Sequence, residues 1–217
     1  MDPKTLLYFQ IHGKAEAMRS LLKYTNQEFT DKAITFDEWP VIKEAGEIPL
    51  PGGQIPVFTS PEGQTLNQQG AIMRAIGRKT GHYPQDNDQE SFLIDWSMDT
   101  YQDLWSTRHY LKFMSDAEPT EEDIAKFVAD VEKNVKQFEE KLTKLQLTYL
   151  AGQRLTIADF TVFSLYSSWV YNDHTSKPTL TAAAKTMIEN YPAFKAWIDR
   201  MTTDLADHLA TRGQYTI

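Results

Sequence analysis

The 217-residue sequence predicts a small α/β domain followed by an all-helical bundle. Three observations carry that reading. Residues 1–80 switch between strand-like and helix-like hydrophobic spacing, whereas nearly everything after residue 88 repeats at helical spacing. Residues 81–88, GHYPQDND, are polar and contain a proline, as a linker does. Residues 1–80 hold nine Lys/Arg and nine Asp/Glu, and residues 81–217 hold 13 and 21, so the whole net charge of −8 falls in the second part. Such asymmetry points to two domains, 1–80 and 89–217, the neutral one better suited to an anionic ligand.

The elements follow in order. Residues 4–10, KTLLYFQ, form an apolar run of strand length, and Gly13 punctuates it. Residues 15–24 place Met18, Leu21 and Leu22 at helical spacing, and residues 29–35 alternate as a second strand. Residues 36–53, rich in proline and glycine, read as an irregular binding loop. Residues 54–59 and 64–67 are strands across the turn Pro61-Glu62-Gly63, and residues 68–80 form a helix closed by Gly81. The order is βαβ followed by ββα. Ile55-Pro56 enters a strand with a proline that cannot donate to the ladder; a cis peptide there would place the Ile55 backbone at a sheet edge, able to pair with an extended peptide ligand. This is the thioredoxin-like arrangement.

In the second part, residues 89–113 read as one long helix capped by Asp88. Thr120 and Asp123 make a capping box ahead of an apolar stripe through Phe127, Val131, Val135, Phe138 and Leu142. Thr156 and Asp159 cap the next helix, through Tyr171, and Pro192 opens the last one.

Composition excludes several functions. The chain has no cysteine, which removes disulfide frameworks, Cys-ligated zinc, iron–sulfur clusters and a cysteine nucleophile. The five histidines lack metal-ligand spacing, so no metal site is expected. The negative charge argues against a nucleic-acid binder, and no run is long and apolar enough to span a bilayer. No secretory signal is legible at the start, so a cytoplasmic protein without membrane partners is expected.

The residues in their order resemble the cytosolic glutathione transferases over essentially the whole chain, most closely the sigma class among the Tyr-type classes. The resemblance is carried by Leu7-Tyr8-Phe9, by residues 13–19, GKAEAMR, by residues 36–43, FDEWPVIK, and by residues 53–57, GQIPV. Residues 66–74, LNQQGAIMR, 80–84, TGHYP, and 155–160, LTIADF, complete it. It implies glutathione as co-substrate, no further cofactor, a small hydrophobic electrophile and a homodimer. It implies that Tyr8 donates a hydrogen bond to the glutathione sulfur, which fits elementary chemistry. A free thiol with a pKa near 8.5 is only a few per cent thiolate at neutral pH, and a phenol can stabilise the anion without ionising.

Where the family often has Arg-Gly-Arg after the tyrosine, this chain has His12-Gly13-Lys14. Lys14 keeps the charge without the planar fork, and His12 either assists or is a solvent-facing turn residue. The resemblance further implies Trp39 and Lys43 at the glycyl carboxylate, Gln54 beside them, and the Ile55 backbone on the cysteinyl moiety. Gln68 and Gln69, at a helix start, would face the γ-glutamyl carboxylate; Gln69 replaces the usual serine. Asp95, Asp99 and Asp103 share a helix face, and Asp103 is carried over as the residue that reaches the partner subunit's glutathione. Ile11, Trp105, Arg108, Tyr110 and Phe113 are candidates, by position, for the electrophile site. The loop before Gln54 has Gly52-Gly53 where some classes carry an aromatic key, so a polar, sigma-like interface is expected. Three readings stay open: a conjugating transferase, a glutathione-dependent isomerase of a prostaglandin-type lipid, and a non-catalytic structural or ligand-binding relative.

Overall fold

A computed structural model describes residues 2–46, 48 and 53–217. The chain first builds a four-stranded mixed sheet in the order β2-β1-β3-β4. β1 (Thr5–Phe9) lies parallel to β2 (Thr30–Ile34) and antiparallel to β3 (Val57–Thr59), which pairs antiparallel with β4 (Thr65–Asn67). α1 (Glu16–Tyr24) crosses over between the parallel strands, and α3 (Gln69–Thr80) follows the hairpin. The Ile55–Pro56 bond is cis. This is the thioredoxin-like sheet followed by an all-helical part, and the fold class matches the sequence.

Strand periodicity sorts the first domain's side chains. Leu6 and Tyr8 of β1 join the large core that continues into the helical part, while Leu7 faces a smaller cluster with Ile34, Ile48 and Val57. That second face is covered by α2 (Glu38–Glu44), whose Trp39 and Ile42 pack on it. Residues 38–44 therefore form a helix where the sequence reads as irregular loop. Pro40 disguises it, yet lies in the first turn, where no intrahelical N–H donor is required.

The helical part comprises α4 (Asp88–Ser106), α5 (Tyr110–Met114), α6 (Glu121–Lys144), α7 (Ile157–Trp169), α8 (Pro178–Ile188), α9 (Pro192–Asp204) and α10 (Ala206–Thr211). The segment 89–113 is thus two helices, broken at Thr107–His109, where Arg108 adopts φ +60°. The cap of α4 is Asn87, accepting the Glu90 N–H at 3.1 Å, rather than Asp88. Capping boxes do open α6 at Thr120 and α7 at Thr156. α8 is missing from the sequence reading, although Pro178 opens it as Pro192 opens α9, and α7 ends at Trp169, two residues early.

α7 is the axle of the molecule, buried on every side. Its capping-box residue Asp159 is fully buried and accepts four hydrogen bonds: Thr156 N at 2.9 Å, Thr156 Oγ1 at 3.0 Å, Leu150 N at 2.8 Å and Trp197 Nε1 at 3.0 Å. α3 approaches α7 closely: a Cβ on Gly77 would meet Ile157 Cγ2 at 2.6 Å, so only glycine fits without displacement. Asp95 of α4 pairs with Arg74 of α3 at 2.8 Å and accepts the Tyr83 hydroxyl at 3.1 Å, pinning the two parts together.

A second clasp centres on Glu16, buried at the start of α1. It accepts from His12 Nδ1 at 3.3 Å, His208 Nε2 at 2.8 Å and Arg212 Nη1 at 2.9 Å, with Arg19 at 3.9 Å. Burial alone would push its carboxyl up, but the donors from His12 and His208 hold it well below the usual range. Burial pushes His12 below its ordinary 6.5 despite its bond to Glu16.

Both shifts make acid destabilising. Below 6.5 the unfolded chain takes up a proton at His12 that the folded chain refuses. The contribution from Glu16 is present above its unfolded value of 4.5 and is lost as pH falls through its lower folded value. The urea midpoint is therefore expected to fall between about pH 7.5 and about pH 5.5, and less steeply in His12→Gln. A flat or rising midpoint would contradict this account.

Candidate active site

The site is built where β1 ends. Strand geometry aims Tyr8 toward the helical part, and the turn Gly13–Ala15 wraps its hydroxyl. Tyr8 is 5% exposed, and its oxygen accepts the Lys14 backbone N–H at 3.2 Å. Burial pushes its pKa up to about 12, against the opposing pull of that N–H and the Arg19 charge. The phenol therefore keeps its proton at neutral pH. With one lone pair engaged by Lys14 N–H, the O–H is available to donate to an incoming anion.

Gly13 makes this packing possible. It sits at φ +44°, and a Cβ there would lie 2.8 Å from both Tyr8 Cε1 and Tyr8 Oη and 3.2 Å from Ile11 Cδ1. Gly13→Ala adds left-handed strain of about 1–2 kcal/mol and pushes the ring aside. We expect kcat/KM to drop at least roughly tenfold; full activity in a well-folded Gly13→Ala protein would refute the packing argument.

Beside Tyr8 lies an aromatic wall. Lys14 Nζ is 5.5 Å from the centre of the Trp105 ring, and burial lowers its pKa. Trp105 stacks on Tyr110 at 5.2 Å and on Trp169 at 5.4 Å. The structure thus brings together Ile11, Lys14, Trp105 and Tyr110 beside Tyr8. Arg108 is exposed at the helix break, and Phe113 is 2% exposed, locked between Phe127 and Trp169 as core rather than as wall. His12 is also corrected: at 1% exposed, it neither faces solvent nor points at the site, because its ring is held by Glu16.

A polar rim runs along the far end of β3 and the start of α3. Lys43 is exposed on α2, with its stem lying beside Gly53: Cε is 3.8 Å from where a Gly53 Cβ would be. Gln68 Nε2 donates to Gln54 Oε1 at 3.4 Å, and Gln68 sits at φ +67° immediately before α3. Ile55 is half-buried between them and the core. Trp39 packs edge-on against Phe9 at 6.1 Å, fixing α2 to the sheet. Gly52 lies outside the described residues.

Gln69 behaves differently from Gln68. It is 6% exposed, turned inward, and accepts the Tyr101 hydroxyl at 3.1 Å, while its Nε2 has no partner among the described residues. Tyr101 in turn lies 6.2 Å from Trp105, so it links the rim to the wall. Sequence reasoning missed Tyr101, although it precedes Trp105 by one helical turn. Asp103 is exposed and lines a separate cleft of about 380 Å³ with Thr107, Asp130 and Lys133; within one chain it does not join the other site residues.

A thioredoxin-like sheet domain followed by an all-helical bundle is the architecture found in the glutathione transferases that the chain resembles. Residues 101–204 match the family model described as the glutathione S-transferase C-terminal domain. The chain is 29% identical over 161 residues to a probable glutathione S-transferase 6 of Caenorhabditis elegans, covering 72% of this chain and 75% of that one. It superposes with a TM-score of 0.81 on a monomeric glutathione S-transferase of the hookworm Necator americanus, at 27% identity and 98% coverage of both chains. Against a prostaglandin synthase D of Nilaparvata lugens the TM-score is 0.72, at 25% identity, covering 97% of this chain and 98% of that one. In fold and in sequence the chain is thus similar to glutathione transferases, in its helical part and over most of its length.

Proposed function

We propose that the protein conjugates glutathione to a small hydrophobic electrophile, as a Tyr-type, sigma-like transferase. Residues 1–80 bind glutathione, 81–88 link the domains, and 89–217 carry the electrophile site. The observation that supports this best is Tyr8, protonated, buried and with its oxygen already engaged by Lys14 N–H. Its O–H donates to the glutathione sulfur and shifts the thiol toward thiolate, the proton leaving to water. The sulfur then attacks the electrophilic carbon held against Trp105 and Tyr110, and the leaving group departs with its bonding pair. Lys14 adds a nearby positive charge. No metal or redox cofactor enters this scheme; glutathione is a co-substrate.

The rim supplies the ends of the tripeptide. Lys43 and the Trp39 indole N–H receive the glycyl carboxylate, Gln54 sits beside them, and the Ile55 backbone pairs with the cysteinyl unit. Gln68 and the backbone at Gln69 face the γ-glutamyl carboxylate, favoured by the α3 N-terminus. Asp103, exposed on α4, reaches the γ-glutamyl amine of a second subunit in a homodimer. The protein works in the cytoplasm, in detoxification.

Retention on immobilised glutathione together with conjugation to chlorodinitrobenzene tests the reading; retention without turnover would favour a non-catalytic binding protein. The likeness to a prostaglandin synthase D supports a second reading, glutathione-dependent isomerisation of a prostaglandin-type lipid. Conversion of such a substrate without net loss of glutathione would favour it. Sedimentation showing a monomer at micromolar concentration would remove the role of Asp103.

A further inference from the structure

The turn that presents Lys14 N–H to Tyr8 is tied from behind by a segment remote in sequence. Ile11 and His12 have every backbone polar group engaged. Ile11 N donates to Phe9 O at 2.7 Å, and His12 N donates to Ile217 O at 2.6 Å. Arg19 Nη1 donates to Ile11 O at 2.8 Å and to His12 O at 3.2 Å, and Glu16 N also donates to His12 O, at 3.1 Å. Segment 212–217 closes over this turn. Arg212 is held by Glu16 and Ser167, the Tyr215 ring meets the His12 ring at 5.2 Å and the Arg19 guanidinium at 5.9 Å, and Asn172 Nδ2 donates to Tyr215 O at 2.9 Å. Ile217 is buried. Glu16 accepts both from the turn, through His12, and from the remote elements, through His208 and Arg212.

We infer that Glu16 is a positioning residue for the Tyr8 chemistry, clamping segment 212–217 onto residues 11–12 so that the N–H of Lys14, two residues on, stays aimed at the Tyr8 oxygen. The clamp touches neither substrate. It acts by fixing Tyr8's acceptor side, so that the phenol hydrogen is directed to sulfur instead of being shared among rotamers. This rests on the conjugation reading above.

The test is the pH dependence of the ultraviolet thiolate absorbance of glutathione bound to the full-length protein. Glu16→Gln keeps the shape but removes the charge. It should raise the apparent pKa of the bound thiol by about one unit, a tenfold smaller thiolate-to-thiol ratio at a given pH. Tyr215→Leu removes the ring contacts while leaving the four partners of Glu16, and should shift it in the same direction by less. Because the effect runs through Tyr8, adding Glu16→Gln to Tyr8→Phe should shift it no further. If either folded variant keeps the wild-type thiol pKa while melting earlier, the clamp is structural only and the inference fails. An additive shift in the double variant overturns it equally. Should Glu16→Gln not fold, Tyr215→Leu decides by the same readout. A wild type whose bound thiol keeps the pKa of free glutathione overturns the conjugation reading as well, which separates the two failures.

Discussion

Tyr8→Phe should lower kcat/KM for conjugation of glutathione to chlorodinitrobenzene by roughly ten- to a hundredfold. The estimate follows from what is removed. A hydrogen bond to a charged group contributes about 1.5–3 kcal/mol, and each 1.4 kcal/mol or so is a factor of ten in rate. Burial places the Tyr8 pKa near 12, so at neutral pH the residue acts as a proton-bearing donor and not as a base. The loss should therefore be greatest at low pH, where wild type still holds thiolate and the variant holds thiol, and should shrink above the ordinary thiol pKa. The KM for glutathione should change little, because the rim at Lys43, Gln54 and Gln68 is untouched. Phenylalanine fills the same space, so the melting temperature is a control on folding. An undiminished Tyr8→Phe would remove Tyr8 from the mechanism.

Asp159→Ala should be the most damaging single change to stability, costing about 3 kcal/mol or more. Four donors converge on this carboxylate: two from Thr156, the Leu150 N–H and the Trp197 indole. Losing the α7 cap costs about 1 kcal/mol, and each buried donor left without an acceptor adds about 1–3 kcal/mol. Burial pushes the carboxyl pKa up while those four bonds pull the other way, so the site tolerates the charge only because the donors are present. Asp159→Asn should fall between the two, since its amide NH₂ would confront donors. Urea denaturation followed by tryptophan fluorescence measures both, and a loss below about 1 kcal/mol for alanine would show that water replaces the carboxylate. Conjugation by the surviving folded fraction should be nearly normal, because Asp159 does not touch the site.

Much of this was legible locally. Strands, caps and punctuating glycines report on their own neighbours, so β1, the Thr120 and Thr156 boxes and the Gly81 terminus stand in the sequence. The break after Ser106 does not: no proline or glycine marks it, and Arg108 takes a left-handed conformation where a glycine would be expected. The chain turns there beside the stack that seats Trp105 between Tyr110 and Trp169, a contact between residues up to 64 positions apart. α2 was hidden for a similar reason, since what holds it is Trp39 and Ile42 packing on the far face of the sheet.

The same division holds for the chemistry. By itself the sequence determined the two-part architecture and the absence of any protein thiol, because these depend on residue identity and short-range spacing, while the candidate tyrosine came from the family resemblance of the motifs around it. Only the tertiary structure decided that His12 is a buried structural residue, that Gln69 turns inward to Tyr101, and that Phe113 is core. Each outcome depends on a partner far along the chain: His12 is bound by Glu16, which is itself clasped by residues 192 and 196 positions away. A side chain's role is set by what surrounds it in space, and local spacing carries no record of that.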